Sequence, residues 1–255
     1  MLAVISPAKN LDFETEAPIE HFTDYRLADQ AQSLIERLRE LSVADVKKMM
    51  KLSDKLAELN VARYQQWQPV MTAANSKPAM FAFNGDVYTG LSANTLTGPQ
   101  IGMAQNRLRI LSGLYGLLRP LDRIQPYRLE MGTRLQIESA NSLYEFWGDT
   151  ITGLLEADCQ ENQVDVLINL ASQEYFKAVN PEKLSVPVIT PVFKDEKNGE
   201  FKIISFFAKK ARGMMVRYML EQELETVHDL QAFDYGGYQF SAAESDDCSW
   251  VFKRS

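Results

Sequence analysis

The apolar residues recur at two spacings, and their alternation lays out the elements. Leu2, Val4 and Ile5 open the chain as a short strand that closes at the turn Ser6-Pro7-Ala8-Lys9. Residues 27–41 and 43–52 carry apolar side chains at helical spacing, with Leu34, Leu38 and Leu41 on the first and Val43, Val46, Met49 and Met50 on the second. Residues 56–67 continue as a third helix. The run Met80-Phe81-Ala82-Phe83 predicts a strand ending at the turn Asn84-Gly85-Asp86. Beyond it, residues 100–108 predict a helix, 126–131 an extended segment, 143–157 a helix and 164–170 a buried strand. Residues 186–195 and 201–207 flank Glu196-Lys197-Asn198-Gly199 as a hairpin. A helix over 209–223 follows, then short strands at 238–240 and 250–253. This irregular alternation predicts a single α+β domain over residues 1–255, a mixed sheet with surrounding helices. No repeat or flexible linker divides it.

One apolar run breaks the pattern. Residues 108–132 hold Arg109, Arg119, Arg123, Arg128, Tyr115, Tyr127 and Glu130 among Gly113, Gly116, Pro120 and Pro126. A buried charge costs several kcal/mol unless it is paired, and glycine and proline favour turns beside those charges. Two readings stay open: a cleft built on irregular backbone, or internal ion pairs that fix the fold. Alternation along 126–131 puts Arg128 and Glu130 on one face, suited to a phosphate and to a base or amine, or else to each other. Asn169 and Ser172 stand where a buried strand meets a helix, a place ligands favour, although Ser172 also suits a helix N-cap. Asp86, Glu130 and Glu174 are candidate acid/base groups, but nothing in the sequence makes them converge, and no catalytic set is assigned.

The formal net charge is −7, unevenly spread. Residues 47–63 carry five Lys/Arg against two acids, 105–134 six arginines against two acids, and 202–217 five Lys/Arg with no acid. Residues 221–247 hold eight acids and no Lys/Arg. If the basic segments meet, a positive cleft sits on an acidic body and attracts phosphate locally. Residues 42–67 read as two helices around the link Ser53-Asp54-Lys55, with no glycine anywhere before Gly85. Two cysteines, Cys159 and Cys248, and two histidines, His21 and His228, lack metal-ligand spacing, so no metal or other cofactor is expected. A carboxylate-only magnesium site stays open. The start lacks a basic n-region, and no apolar run nears the ~18 residues of a membrane span. A reducing cytoplasm is the expected location.

Ser6-Pro7-Ala8-Lys9, the run from Asn84 to Leu91, the block from Leu111 to Gly132, and the runs 169–175 and 206–213 together resemble the YaaA peroxide-stress family. The resemblance implies a cytosolic bacterial protein induced by hydrogen peroxide that limits damage from unincorporated iron. It implies binding of double-stranded or branched DNA, and a fold with a positively charged cleft and a helix-hairpin-helix element at about 42–67; Lys/Arg clusters without a base-reading helix make such binding sequence-independent. On that reading Lys9, Lys55, Arg63, Arg119, Arg128, Lys209, Lys210 and Arg212 grip phosphate. Asp86, Tyr88, Tyr115, Tyr127, Glu130, Asn169 and Ser172 are the polar residues of the cleft. The rival expectation is an enzyme that takes a small nucleotide or phosphorylated metabolite on Lys9, Arg119 and Arg128, with Glu130 or Asp86 as acid/base.

Overall fold

Strand β1 (Leu2–Ile5) is wholly buried and runs through the middle of the molecule. A strand covered on both faces has no polar side to show, and Leu-Ala-Val-Ile shows none. The computed structural model describes residues 1–255. Around β1 stand β2 (Leu108–Ser112), β3 (Gly116–Leu118), β4 (Leu167–Leu170), β5 (Val188–Lys197), β6 (Glu200–Lys202), β7 (Gln239–Phe240) and β8 (Ser249–Arg254). Their order across the sheet is β7-β8-β5-β4-β1-β2-β3, with β6 folded back on β5. The five central strands β8, β5, β4, β1 and β2 are all parallel, and β3, β6 and β7 are antiparallel additions. The sheet is therefore mixed and ringed by helices, but its centre is a parallel α/β sheet where the sequence suggested an irregular α+β one. The crossover from β1 to β2 covers about a hundred residues and carries several helices, one small ribbon and one strand of a second, which hides the β-α-β rhythm.

The helices are α1 (Ala28–Arg39), α2 (Val43–Met50), α3 (Asp54–Gln66), α4 (Asp86–Leu91), α5 (Gly98–Arg107), α6 (Thr150–Glu161) and α7 (Ser205–Glu221). None is long and apolar enough to cross a membrane. Ser42 and Asp45 form a capping box on α2, and Lys51 ends that helix in the left-handed region at φ 53°. Leu52 is buried and Ser53 caps α3. The link is thus Lys51-Leu52-Ser53, two residues earlier than expected, with lysine in the conformation that usually calls for glycine.

Three other expectations change. The run 80–83 is mostly a single helical turn, Ala79–Ala82, because a short, fully buried apolar run fits either period. Helix 143–157 is two helices, Leu143–Trp147 and α6, parted at Gly148, where φ is 45°. The hairpin turns at Asn198 and Gly199, both with positive φ, but its second strand stops at Lys202 and α7 begins at Ser205.

Helix α7 lies directly against α4. A Cβ on Gly213 would sit 1.8 Å from the Val87 carbonyl oxygen, and one on Gly90 would sit 2.1 Å from that of Lys210. Backbone cannot yield as a side chain can, so Gly213→Ala should separate the helices and cost roughly 2–3 kcal/mol or more. Gly153 in α6 has nothing within 4 Å of an added Cβ, so Gly153→Ala should stabilise by about 0.5–1 kcal/mol. Urea unfolding of both variants checks the contrast, and equal midpoints would refute it.

Candidate functional site

The chain passes from β1 to β2 on one side, and the next parallel strand, β4, lies on the other side of β1. In such sheets the connections leave the carboxyl ends of neighbouring strands in opposite directions and open a crevice between them. Polar residues collect there. The Ser6 Oγ, just past β1, accepts from the Ser172 N–H at 2.8 Å, and its hydroxyl donates to Ser172 Oγ at 3.3 Å. The Tyr88 hydroxyl of α4 donates to the Ser6 carbonyl at 3.1 Å. Ser112, at the end of β2, bonds the Tyr127 hydroxyl at 2.7 Å. Asn169 accepts from the Ala171 N–H and donates to Thr190 Oγ1.

Residues 127–131 cross this crevice without forming a strand, yet alternation holds: Tyr127, Leu129 and Met131 are buried, Arg128 and Glu130 half-buried. Glu130 Oε1 accepts from Arg128 Nε at 3.0 Å and Nη2 at 2.9 Å, and lies 3.5 Å from Lys9 Nζ. Glu130 Oε2 is buried and has no donor. The adjoining space, between Ala8, Lys9, Tyr127 and Tyr175, holds about 10 Å³, room for one small polar group. Burial pushes the Tyr127 and Tyr175 hydroxyls well up, and the nearby Glu130 charge adds to this, so both stay protonated at neutral pH. The arrangement offers cations for an anion and one free carboxylate oxygen for an N–H donor.

The other arginines of the 108–132 run are engaged inside the fold. Arg109 Nε lies 2.6 Å from Asp158 Oδ2, and Arg26 clasps the same carboxylate at 2.6 and 2.9 Å. Arg119 binds the buried Asp122 and the Asp24 carbonyl and so fixes the 119–122 turn. Arg123 lies under the Phe22 ring and donates to the Met71 carbonyl. Tyr115 is away from the crevice, its hydroxyl accepting from Trp67 Nε1 and from the Gln125 N–H in the core.

The crevice therefore gathers Lys9, Arg128, Glu130, Tyr88, Tyr127, Asn169 and Ser172, while Arg119 serves a turn. Asp86 heads α4 half-buried, with no side-chain hydrogen bond. Lys55 is exposed on the first turn of α3, and Arg63 is half-buried near its end. Lys209 and Lys210 are exposed on α7 and Arg212 is half-buried beside them. Ser6, which ties β1 to β4, was read only as part of a turn. The signal for it is its place directly after a parallel strand.

A family model described as peroxide stress protein YaaA matches residues 1–244. The chain belongs to that family. A UPF0246 protein of Idiomarina loihiensis is 56% identical over 255 residues, covering 100% of this chain and 99% of the relative. One of Shewanella woodyi is 53% identical over 254 residues, covering 100% and 99%. The chain thus stands among peroxide-stress proteins.

In this YaaA-family chain the Arg26–Asp158–Arg109 cluster sets an acid limit on stability. Burial opposes the Asp158 charge, but the bonds from Arg26 and Arg109 outweigh it and hold the carboxyl below its usual range. A depressed folded pKa contributes stability that is complete above the unfolded value of about 4 and lost as pH falls through the lower folded value. Asp158→Asn should cost about 3–5 kcal/mol at neutral pH, because two guanidinium groups lose their counter-charge. The gap from the native chain should narrow in urea melts below about pH 4. A gap constant down to about pH 2 would show that the carboxylate charge is not what matters.

Proposed function

We propose that the chain serves the peroxide-stress response by binding DNA through its backbone phosphates. The principal cations are Lys48, Lys51 and Lys55 around the α2–α3 link and Lys209, Lys210 and Arg212 on α7. One observation carries this reading: none of these six has a carboxylate within ion-pair distance, whereas Arg26, Arg109, Arg119 and Arg217 are paired inside the fold. In a chain of net charge −7, two groups of free cations are local features that a polyanion would meet. On α7 the lysines stand close in sequence to Ile203 and Phe206, which are 60% and 57% exposed, apolar faces on which bases can rest. Lysine contacts to phosphate carry no base code, so binding is sequence-independent. A strand covered this way offers fewer phosphates to hydrated iron, which makes any effect on iron damage indirect.

Fluorescence anisotropy against duplex and four-way-junction DNA across salt concentrations tests the reading. The log K versus log salt slope should be about −0.9 per phosphate contacted, and Lys55→Ala and Lys209→Ala should each make it shallower by about that much. A flat slope, or unchanged affinity in both variants, overturns it.

The second reading, a small nucleotide or phosphorylated metabolite that inserts one polar group into the β1–β4 crevice, is favoured by the free, buried Glu130 Oε2. Glu130→Gln separates the two. Duplex affinity holds or rises slightly if the crevice only receives phosphate, whereas binding or turnover of a small ligand collapses if Glu130 holds it.

A further inference from the structure

A second cavity, much larger than the space beside Glu130, lies outside the crevice. It holds about 720 Å³ and opens between residues 13–22, the end of α3 and residues 73–78. Its walls are fixed. The Lys77 ammonium donates to the Asp12 and Thr15 carbonyls at 2.9 and 2.6 Å and so pins one side. Gln125 brackets the Gln68 backbone, accepting from its N–H and donating to its carbonyl. Arg123 is held by the Phe22 ring and the Met71 carbonyl.

Arg63 differs from these. It lines the same cavity half-buried, has no carboxylate partner, and makes one long bond, to Asn60 Oδ1 at 3.4 Å. Most of its N–H donors are therefore free. Burial disfavours the Arg63 charge, Tyr64 partly offsets this and Arg128 adds to it, so an anion beside the guanidinium would be stabilised. The rest of the lining mixes polar groups with apolar side chains, Phe13, Ala17, Ile19 and Phe22 among them, which give an organic body a face to rest on. Glu14, Glu16 and Glu20 also border the cavity and are exposed.

We propose that this cavity binds a small monocarboxylate with an apolar body, its carboxylate paired with Arg63. The volume lies within the range of small-molecule sites. A guanidinium fork matches a carboxylate in shape and in unit charge. Three glutamates at the border disfavour a dianion and a polyanionic strand, so the site is separate from the DNA-binding cations and stands or falls apart from them.

Isothermal titration and thermal melts of the full chain test this with phenylacetate as the probe. Phenethyl alcohol keeps the ring without the charge, acetate keeps the charge without the ring, and deoxyadenosine monophosphate presents a dianion. Phenylacetate should bind saturably and raise Tm, with the other three at least about tenfold weaker. Arg63→Met should reduce phenylacetate affinity at least about tenfold. Ala74→Trp, which fills the cavity and leaves Arg63 in place, should do the same, and Lys209→Ala should change nothing. Equal binding of the alcohol, tighter binding of the monophosphate, no binding of phenylacetate, or an unaffected Arg63→Met would each overturn the proposal.

Discussion

Asp158 is a carboxylate on α6 with a side chain only 3% exposed, and it stays charged there because two guanidinium groups close on it from different parts of the chain. Arg109 brings β2 to α6, and Arg26 brings the segment that leads into α1. Their hydrogen bonds set where the edge of the sheet meets its helical cover. A buried pair of this kind adds little net stability over an apolar filling, but removing one member leaves a charge with no solvent and no partner. The clasp thus adds to β2, which is already paired with β1 and β3, a side-chain anchor to the helical cover.

Helices α1, α2 and α3 were legible because their apolar spacing is regular, and the last two carry explicit caps, Ser42 with Asp45 on α2 and Ser53 on α3. The buried strands Leu2–Ile5 and Leu167–Leu170 were legible because their runs are short and apolar, Asn169 in the second excepted. Strand β2 was not, since Leu-Arg-Ile-Leu-Ser places arginine mid-strand, and only Asp158, distant in sequence, makes that tolerable. The parallel order of the sheet was hidden by the length of the first crossover. Within the site, Arg128 and Glu130 were found as neighbours on one face. What sequence could not separate was their surroundings from those of Arg109, Arg119 and Arg123, because the same residue type within one run can serve a crevice, a core or a turn. The large cavity beside Arg63 left no sequence signal, being assembled from three distant segments with ordinary composition.

Engagement thus divides the basic residues more usefully than position along the chain. The arginines of 105–134 are mostly held by acids, carbonyls and rings inside the fold, while Lys48, Lys51 and Lys55 around the α2–α3 link and Lys209 and Lys210 on α7 are free; Lys47, beside them, is paired with Asp54. The charge of the free groups is set against an acid-rich segment at 221–247, so attraction to a polyanion is confined to particular faces. The crevice differs from both faces: it is small and organised around one carboxylate with a vacant oxygen.

Both margins of the sheet end in very short antiparallel strands, Gly116–Leu118 and Gln239–Phe240. The first is fully buried, and Gly116 lies so close to Leu27 and Trp147 that those side chains leave no room even for a methyl group. A second chain therefore finds no long open row of amides on which to lengthen the sheet. Copies of the protein that meet at high concentration are thereby protected from joining edge to edge into aggregates.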